Sequence, residues 1–366
     1  MIRGLSWRHF DFWLLGVIVF ALAFGAAMIR SAIAGNEEIA NSVTRQIQFG
    51  VIGFIVILIV AGIDYRYWTA LYRPMYAVMM ILLIMIFISA QPQFGAARWF
   101  QVAGFFIQPT ELAKVVEIII LARYFEETKD RPRDLPWILG SLFWVGGLAI
   151  WILLQPNLSN VIVMLVIWAA MIWINGVQLR HIALMALFGI ALVAIAFPFL
   201  QDYQQERIIS FIFPNENATY GNLYNVQQAL IAIGSGGWFG KGLGYGTQTQ
   251  LRFLKVRHTD FIFSAISEEF GFIGALIVIF IILFIIWRCL RASRLAKDVA
   301  GAMIGYGMAV LIFFQGAVNI GVNLRIIPVS GLPLPFISYG GSGLVSLMLG
   351  IALVESVVMR HKDVEF

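Results

Sequence analysis

Long apolar runs, separated by short polar segments, make up most of this chain of 366 residues. In an α-helix, about 20 apolar residues are enough to cross a hydrocarbon core of roughly 30 Å. The pattern therefore predicts an all-α polytopic membrane protein with about ten transmembrane helices. The predicted segments are approximately 11–31, 46–63, 75–90, 109–125, 137–154, 158–175, 182–199, 265–287, 299–318 and 342–359.

The longest polar interruption lies between the seventh and eighth predicted helices, at residues 200–264. A segment of this length and polarity has to lie in water or line a wet cavity, because lipid cannot satisfy its polar groups. We therefore interpret residues 1–366 as a single integral membrane domain in which the 200–264 loop carries the candidate active site.

The composition agrees with a membrane location. Hydrophobic residues make up 60% of the chain and charged residues only 12%, whereas a soluble domain has roughly 25% charged residues. The formal net charge of +5 is not interleaved with exposed aromatic residues, so no nucleic-acid partner is expected. Cys289 is the one cysteine, which excludes an intrachain disulfide.

Basic residues are distributed unevenly among the predicted loops. With the amino terminus in the cytoplasm, 15 of the 25 Lys and Arg residues fall on cytoplasmic loops, termini and helix ends, five fall elsewhere, and five lie in the 200–264 loop. Short basic loops favour the cytoplasmic side, whereas long loops cross regardless of charge. We therefore expect both termini in the cytoplasm and the loops at 91–108, 200–264 and 319–341 outside.

Charged residues also open the fourth predicted helix, where lipid would penalise them. Glu111 and Lys114 are three residues apart on one helix face, and Glu117 follows one turn later. A lone charge in the bilayer costs about 3 kcal/mol or more, so these side chains should face the protein or a water-filled pocket. They form either a structural ion pair that braces two helices or the wall of a substrate cavity.

Glycines and basic residues concentrate within the large loop. Seven glycines occur between residues 234 and 246, and Lys241, Arg252, Lys255 and Arg257 lie among or just after them. Glycine lets backbone N–H groups turn toward an anion, but no P-loop or dinucleotide spacing is present, so this signal is weak.

Asp260 is the one carboxylate within this basic cluster. A carboxylate beside cations is suited to act as a general base. The same residue is also suited to cap a helix or to pair with Arg257. The sequence composition leaves both roles open.

Four separated segments of the sequence resemble the motifs of a known family. They are residues 95–99 (GAARW) with 108–114 (QPTELAK); residues 155–158 (QPNL); residues 236–243 (GGWFGKGL) through 257–263 (RHTDFIF) and 268–271 (EEFG); and residues 331–342 (GLPLPFISYGGS). Together with the ten-helix layout, they make the chain similar to the SEDS family (shape, elongation, division and sporulation), and within it to the RodA-type elongation proteins.

The resemblance implies a peptidoglycan glycosyltransferase that polymerises lipid II at the outer face of the bacterial cytoplasmic (inner) membrane during cell elongation. It implies lipid II and undecaprenyl-diphosphate-linked glycan as substrates, and a class B penicillin-binding protein as partner, with other elongation-complex membrane proteins as further candidates. The family's essential loop aspartate falls on Asp260. Its Glu and Lys at the start of the fourth helix fall on Glu111 and Lys114.

The resemblance fails at one turn. The family usually has an aspartate where this chain has Asn157, and a glycine where it has Ser159. Any charge-dependent role of this turn, such as holding a divalent cation, is therefore in doubt. No metal-ligand motif such as HExxH stands out in the sequence. The sequence therefore leaves open whether a cation (Mg²⁺ or Mn²⁺) binds the diphosphate.

Strand elongation needs a base near the acceptor hydroxyl and positive charge near the departing diphosphate, with inversion at the sugar carbon. We expect Asp260 to be the base and Glu111 to line the cavity. A lipid-linked precursor flippase and a non-catalytic scaffold for cell-wall synthases are the alternatives; the clustering of charged residues on the external side favours the enzyme. Candidates for the positive charge are Arg98, Lys114, Lys241, Arg252, Lys255 and Arg257.

Overall fold

The computed structural model describes residues 7–33, 41–89, 99–102, 105–199, 201–213, 221–254 and 257–361. These residues form α-helices and one small antiparallel hairpin, in which β1 (Phe100–Val102) pairs with β2 (Phe105–Ile107). The helices are α1 (Phe12–Ile33), α2 (Ser42–Gly62), α3 (Tyr65–Ala70), α4 (Tyr72–Ser89), α5 (Pro109–Glu127), α6 (Leu135–Leu154), α7 (Leu158–Ile174), α8 (Leu179–Ala196), α9 (Asp202–Ile212), α10 (Gly221–Ser235), α11 (Thr247–Gln250), α12 (Ile262–Leu295), α13 (Val299–Asn323) and α14 (Gly341–Met359).

Each of the ten predicted segments falls on one of these helices. Among the described residues, six helices are long and apolar enough to cross a membrane, namely α1, α2, α6, α12, α13 and α14. The prediction of a helical, multi-pass membrane protein is confirmed. That all ten segments cross the membrane stays a prediction.

Helix α14 lies at the centre of the bundle and packs against α2, α5 and α13. Small residues allow this close approach: Gly53 of α2 lies against Met348, and Gly350 of α14 lies against Met308. In a membrane, helices associate through close packing at such small residues, since lipid tails are as apolar as leucine. By contrast, many large apolar side chains of α1, α2 and α12 are exposed, as lipid-facing surfaces require.

The predicted 200–264 loop contains three helices, α9, α10 and α11. Helix α9 begins with a capping box, in which the side chains of Gln201 and Gln204 bond to each other's backbone N–H groups. Helix α10 packs on α12 and α13. The polar segment is therefore folded onto the bundle rather than extended from it.

Helix α12 is interrupted at Gly271, whose φ of +67° is unfavourable for residues with a side chain. At this break the amides of Phe272 and Ile273 donate to the carbonyls of Gly237 and Trp238, at 2.8 and 3.2 Å. A Cβ on Gly271 would overlap the backbone of that neighbouring loop. The glycine-rich segment is thus hydrogen-bonded to the start of α12.

Buried polar contacts lie at two ends of the bundle. One end, which we call the Asp260 end, joins the amino-terminal parts of α5, α7, α12 and α14 to the last turn of α13. At the opposite end, which we call the Arg288 end, Arg288 of α12 pairs with Asp11, whose backbone N–H donates to Glu355 of α14.

Candidate active site

Asp260 lies in a short segment between α11 and α12, and its backbone is held by the end of α13. The carbonyl oxygen of Asp260 accepts hydrogen bonds from the side-chain amides of Asn319 and Asn323, at 3.1 and 2.9 Å. The Oδ1 atom of Asn323 accepts from the backbone N–H and hydroxyl of Ser264, at 3.1 and 2.5 Å. Asn323 therefore positions the backbone of Asp260 and the first turn of α12, and it does not engage the Asp260 carboxylate.

The segment between α13 and α14 covers the other side of Asp260. The hydroxyl of Ser338 donates to the carbonyl of Thr259 at 2.7 Å, and the Tyr339 amide donates to the carbonyl of His258 at 3.0 Å. A Cβ on Gly331 would lie 4.0 Å from Oδ2 of Asp260. A side chain at this position would therefore contact the carboxylate, and Asp260 as a residue is half-buried.

Two opposing influences set the charge of Asp260. Burial raises its pKa to about 6, while the positive charge of Arg207 and a hydrogen bond from the Thr259 side chain lower it. Burial and the charge of Arg257 lower the pKa of His258 to about 4. At neutral pH, Asp260 is therefore an anion with a pKa close to the working pH, as a general base requires, and His258 is uncharged.

Neither structural role considered for Asp260 is observed. The N-cap position of α12 belongs to Phe261. Arg257 is buried and donates instead to the backbone carbonyls of Ala32 and Leu254. Burial and the nearby Arg252 lower the pKa of Arg257.

Glu111 and Lys114 form a buried ion pair at the start of α5. Lys114 Nζ lies 2.9 and 2.8 Å from the two carboxylate oxygens of Glu111, and 3.1 Å from Oδ1 of Asn160 in α7. Gly343 of α14 packs against Glu111, where a Cβ would lie 3.2 Å from Oε2. The pair therefore joins three helices at the Asp260 end.

The neighbouring turn links this ion pair to the segment beside Asp260. The hydroxyl of Ser159, next to Asn160, donates to the carbonyl of Ser330 at 2.7 Å. Asn157 occupies the N-cap position of α7, but its side chain makes no capping hydrogen bond. Ser159, which replaces the glycine of the SEDS pattern, thus makes a contact that glycine could not.

Lys241 and Arg252 differ in their surroundings. Lys241 pairs with the buried Glu268 at 2.9 Å. Glu268 also accepts from the backbone N–H of Thr249 at 3.0 Å and from its hydroxyl at 2.8 Å. Lys241 therefore helps to secure the glycine-rich segment. Arg252 is exposed, with a φ of +63°.

Comparison with known proteins identifies the family of this chain. Residues 5–363 match the family model described as cell cycle protein, which groups FtsW, RodA and SpoVE. This chain belongs to that family. It is 31% identical over 362 residues to the probable peptidoglycan glycosyltransferase FtsW of Hydrogenovibrio crunogenus, covering 96% of this chain and 92% of the relative. It is 32% identical over 355 residues to the peptidoglycan glycosyltransferase MrdB of Escherichia coli K12, covering 97% and 95%.

Solved structures share the fold of this FtsW/RodA/SpoVE protein. A chain from a peptidoglycan synthase complex, described as coordinating polymerization and crosslinking, superposes with a TM-score of 0.81 at 25% identity, over 97% of this chain and 99% of that one. The rod shape determining protein RodA of Thermus thermophilus superposes with a TM-score of 0.73 at 27% identity, over 98% and 100%.

Of the predicted site residues, Arg98 and Lys255 lie outside the described residues. Arg207 was not predicted as a site residue, yet its charge acts on Asp260. Sequence reasoning missed it because Arg207 is far from Asp260 along the chain, and only the folding of α9 brings it close. The basic composition of the 200–264 loop was the one available signal.

The described residues of this FtsW/RodA/SpoVE protein contain no group of three His, Cys, Asp or Glu side chains that could hold a metal ion. Close to Asp260, the side chains of Asn319 and Asn323 are engaged with backbone and side-chain partners. Their hydrogen bonds hold these amides in the protein, so they are not free to act as ligands of a divalent cation. We therefore derive no step through a cation.

Proposed function

We propose that this chain polymerises lipid II into glycan strands at the outer face of the bacterial cytoplasmic membrane, with Asp260 as the general base. By its family the chain is a peptidoglycan glycosyltransferase, as its FtsW and MrdB relatives are named. The observation that supports the role of Asp260 is a half-buried aspartate, held in place through its backbone, whose carboxylate is influenced by the positive charge of Arg207.

The chemistry is a single displacement at C1 of the donor sugar. The C4 hydroxyl oxygen of the acceptor sugar forms the new bond to C1, and its proton passes to Asp260. The bond from C1 to the diphosphate oxygen breaks, and undecaprenyl diphosphate leaves with the electron pair. A base near the hydroxyl and cations near the diphosphate are the two requirements, and inversion follows when no covalent intermediate forms.

Other charged residues of the Asp260 end are proposed to bind substrate. Glu111 and Lys114 are buried and paired where α5, α7 and α14 meet, close to the segment that covers Asp260, and would form part of the wall of the substrate cavity. Arg252 is exposed and thus accessible to a phosphate, whereas Lys114, Lys241 and Arg257 already have protein partners. Arg98 and Lys255 stay proposals from the sequence.

The topology and the partner are also part of the proposal. Ten crossings within one integral membrane domain would place both termini in the cytoplasm and the large 200–264 loop outside, between the seventh and eighth crossings. A class B penicillin-binding protein would crosslink the strands, which agrees with the likeness to a chain from a peptidoglycan synthase complex. We propose cell elongation as the setting, with lipid II and undecaprenyl-diphosphate-linked glycan as substrates.

The test is polymerisation of lipid II by the purified full-length protein, with no other transferase added. The wild type should form glycan strands, and Asp260→Asn should form none while it unfolds at the same temperature. Asp130→Asn is the matched control, because Asp130 is exposed in the turn after α5, at the Arg288 end. Glycan strands made by Asp260→Asn would refute the role of Asp260. Movement of lipid II across vesicles without polymer would instead indicate a flippase.

A further inference from the structure

A cleft with two arginines lies beside Asp260. It is formed by α9, α10 and the segment that follows α13, and it is open on one side. A ligand can therefore approach its two arginines from outside the bundle.

Helix periodicity explains which side chains meet there. Arg207, Ser210 and Phe211 of α9 follow the i, i+3, i+4 spacing of one helix face, and Leu223 and Val226 of α10 follow the i, i+3 spacing. The opposite wall includes Arg325 and the residues after it. Two guanidinium groups thus line one cleft with apolar walls, and its described lining contains no acidic side chain.

Arg325 is held in a backbone conformation that seldom suits arginine. It follows the Leu324 cap of α13, and its φ is +57°. The amide of Arg325 donates to Val322 at 3.1 Å, and the amide of Ile326 donates to Gly321 at 2.8 Å. This pair of bonds is the Schellman motif, in which the left-handed position usually belongs to glycine. An arginine here is unfavourable for the fold itself, which points to a role for its side chain.

The charges of the cleft suit a phosphate-bearing ligand. Guanidinium groups bind phosphate oxygens through paired, charge-assisted hydrogen bonds, and apolar walls strengthen them by lowering the local dielectric. The positive charge of Arg207 also lowers the pKa of the Asp260 carboxyl group. Val329 of the cleft lining is two residues before Gly331, where a Cβ would lie 4.0 Å from Oδ2 of Asp260. The cleft is therefore adjacent to the proposed base.

We propose that Arg207 and Arg325 bind the diphosphate of the polyprenyl-linked donor sugar, with the first isoprene unit against Phe211 and Ile327. In a displacement at C1, the attacking hydroxyl and the leaving oxygen flank the same carbon, so the base and the donor diphosphate must be neighbours. The acceptor's own diphosphate is separated from its C4 hydroxyl by its sugars. The assignment to the donor rests on the proposed function, whereas diphosphate binding by the two arginines does not.

The test uses the full-length protein in nanodiscs, with undecaprenyl diphosphate as the probe. Arg325→Gly and Arg325→Asn remove the charge, and both residues tolerate the left-handed conformation. Each should weaken binding of the probe by about tenfold or more, as expected for the loss of charge-assisted hydrogen bonds. The kcat/KM for lipid II should fall by at least a similar factor, and kcat should fall with it, because the diphosphate gains negative charge as the bond to C1 breaks.

Three controls separate this proposal from a structural role. Arg325→Lys should keep part of the affinity, and Arg291→Gln, an exposed residue at the Arg288 end, should keep all of it. Undecaprenol, which lacks the diphosphate, should bind equally to wild type and Arg325→Gly.

The unfolding temperature of Arg325→Gly should equal or exceed that of the wild type. A more stable Arg325→Gly protein with unchanged affinity for undecaprenyl diphosphate would overturn the proposal.

The outcomes also separate this proposal from the proposed function. Failure of the wild type to polymerise lipid II would refute the function and the assignment to the donor, and binding of undecaprenyl diphosphate would still test the two arginines. Polymerisation that requires Asp260 but is insensitive to Arg325 would refute only the cleft. Equal competition by phosphatidylglycerol vesicles would show a general anionic surface and also overturn it.

Discussion

At the scale of single residues, the charge state of Asp260 decides what the site can do. Burial would keep the carboxyl protonated, and Arg207 counters this, so that its pKa is about 6. A carboxylate with an ordinary pKa near 4 would be a weaker base at neutral pH. Asp260 is thus ionised under working conditions and still has appreciable affinity for a proton.

The first prediction is the pH dependence of polymerisation. Because Asp260 must be ionised to accept a proton, kcat/KM should be constant above about pH 7 and fall as the pH drops through about 6. Arg207→Ala removes a charge that lowers this pKa, so the acidic limb should move upward by about one pH unit. Initial rates across pH 5–8, with recovery of activity at neutral pH, separate titration from acid unfolding. An acidic limb near pH 4 would contradict the assignment.

The second prediction concerns the buried pair of Glu111 and Lys114. Lys114→Met leaves the Glu111 carboxylate buried without its cation, which should cost about 3–5 kcal/mol of stability. The double variant Glu111→Gln with Lys114→Met leaves no unpaired charge and should regain most of this loss. Thermal unfolding of the two variants measures the difference.

Polymerisation by the stable double variant then identifies the role of the pair. A bracing role predicts wild-type rates once stability returns. A role in the substrate cavity, as we propose, predicts that the rate stays at least about tenfold lower, because a buried cation near substrate contributes 1.4 kcal/mol or more.

At the scale of elements, the site depends on where α13 ends. The apolar run predicts an end at residue 318, yet the helix continues to Asn323. The last turn carries Asn319 and Asn323, whose side chains hold the backbone of Asp260. Hydropathy could not predict this extension, because the turn is stabilised by polar contacts with residues some 60 positions earlier in the chain.

The third prediction tests this positioning. Asn323→Ala removes a donor to Asp260 and the acceptor of two Ser264 bonds, so kcat should fall about tenfold or more with little change in KM. Ser264→Ala removes only the hydroxyl bond and is the matched control, with a smaller effect expected. Initial rates and unfolding temperatures are the measurements. Equal losses of rate in both variants, in proportion to stability, would contradict a positioning role.

The other elements show the same division between what sequence can and cannot predict. Membrane helices follow from apolar length, so each predicted segment falls on a helix. Helices α9 and α10 were missed because their packing depends on the fold: α10 lies against α12 and α13, and α9 lies against α10. The break in α12 at Gly271 was missed because it depends on backbone contacts with the glycine-rich loop. Similarly, Asp260 is proposed as a site residue from the resemblance, whereas Arg207 became a candidate only from the fold.

At the scale of the whole molecule, one end of the bundle carries the candidate active site, and we expect the other end to contribute only to stability. The Asp260 end holds the half-buried Asp260 and a cleft with two arginines, and the Arg288 end holds a buried ion pair. Asp11 directly precedes α1, Arg288 lies in α12 and Glu355 lies in α14. This cluster therefore ties together three helices whose other ends lie near the site, and its contribution should be to stability alone.

The fourth prediction follows from that separation. Arg288→Met leaves the buried Asp11 carboxylate without its cation, which should lower the free energy of unfolding by about 3–5 kcal/mol. Well below the new unfolding temperature, polymerisation should proceed at the wild-type rate, because none of the described contacts of Arg288 reaches the Asp260 end. Arg291→Met, which alters an exposed arginine on the same helix, should change neither quantity. Loss of activity in a folded Arg288→Met protein would show that the two ends are coupled, since stability alone could not account for it.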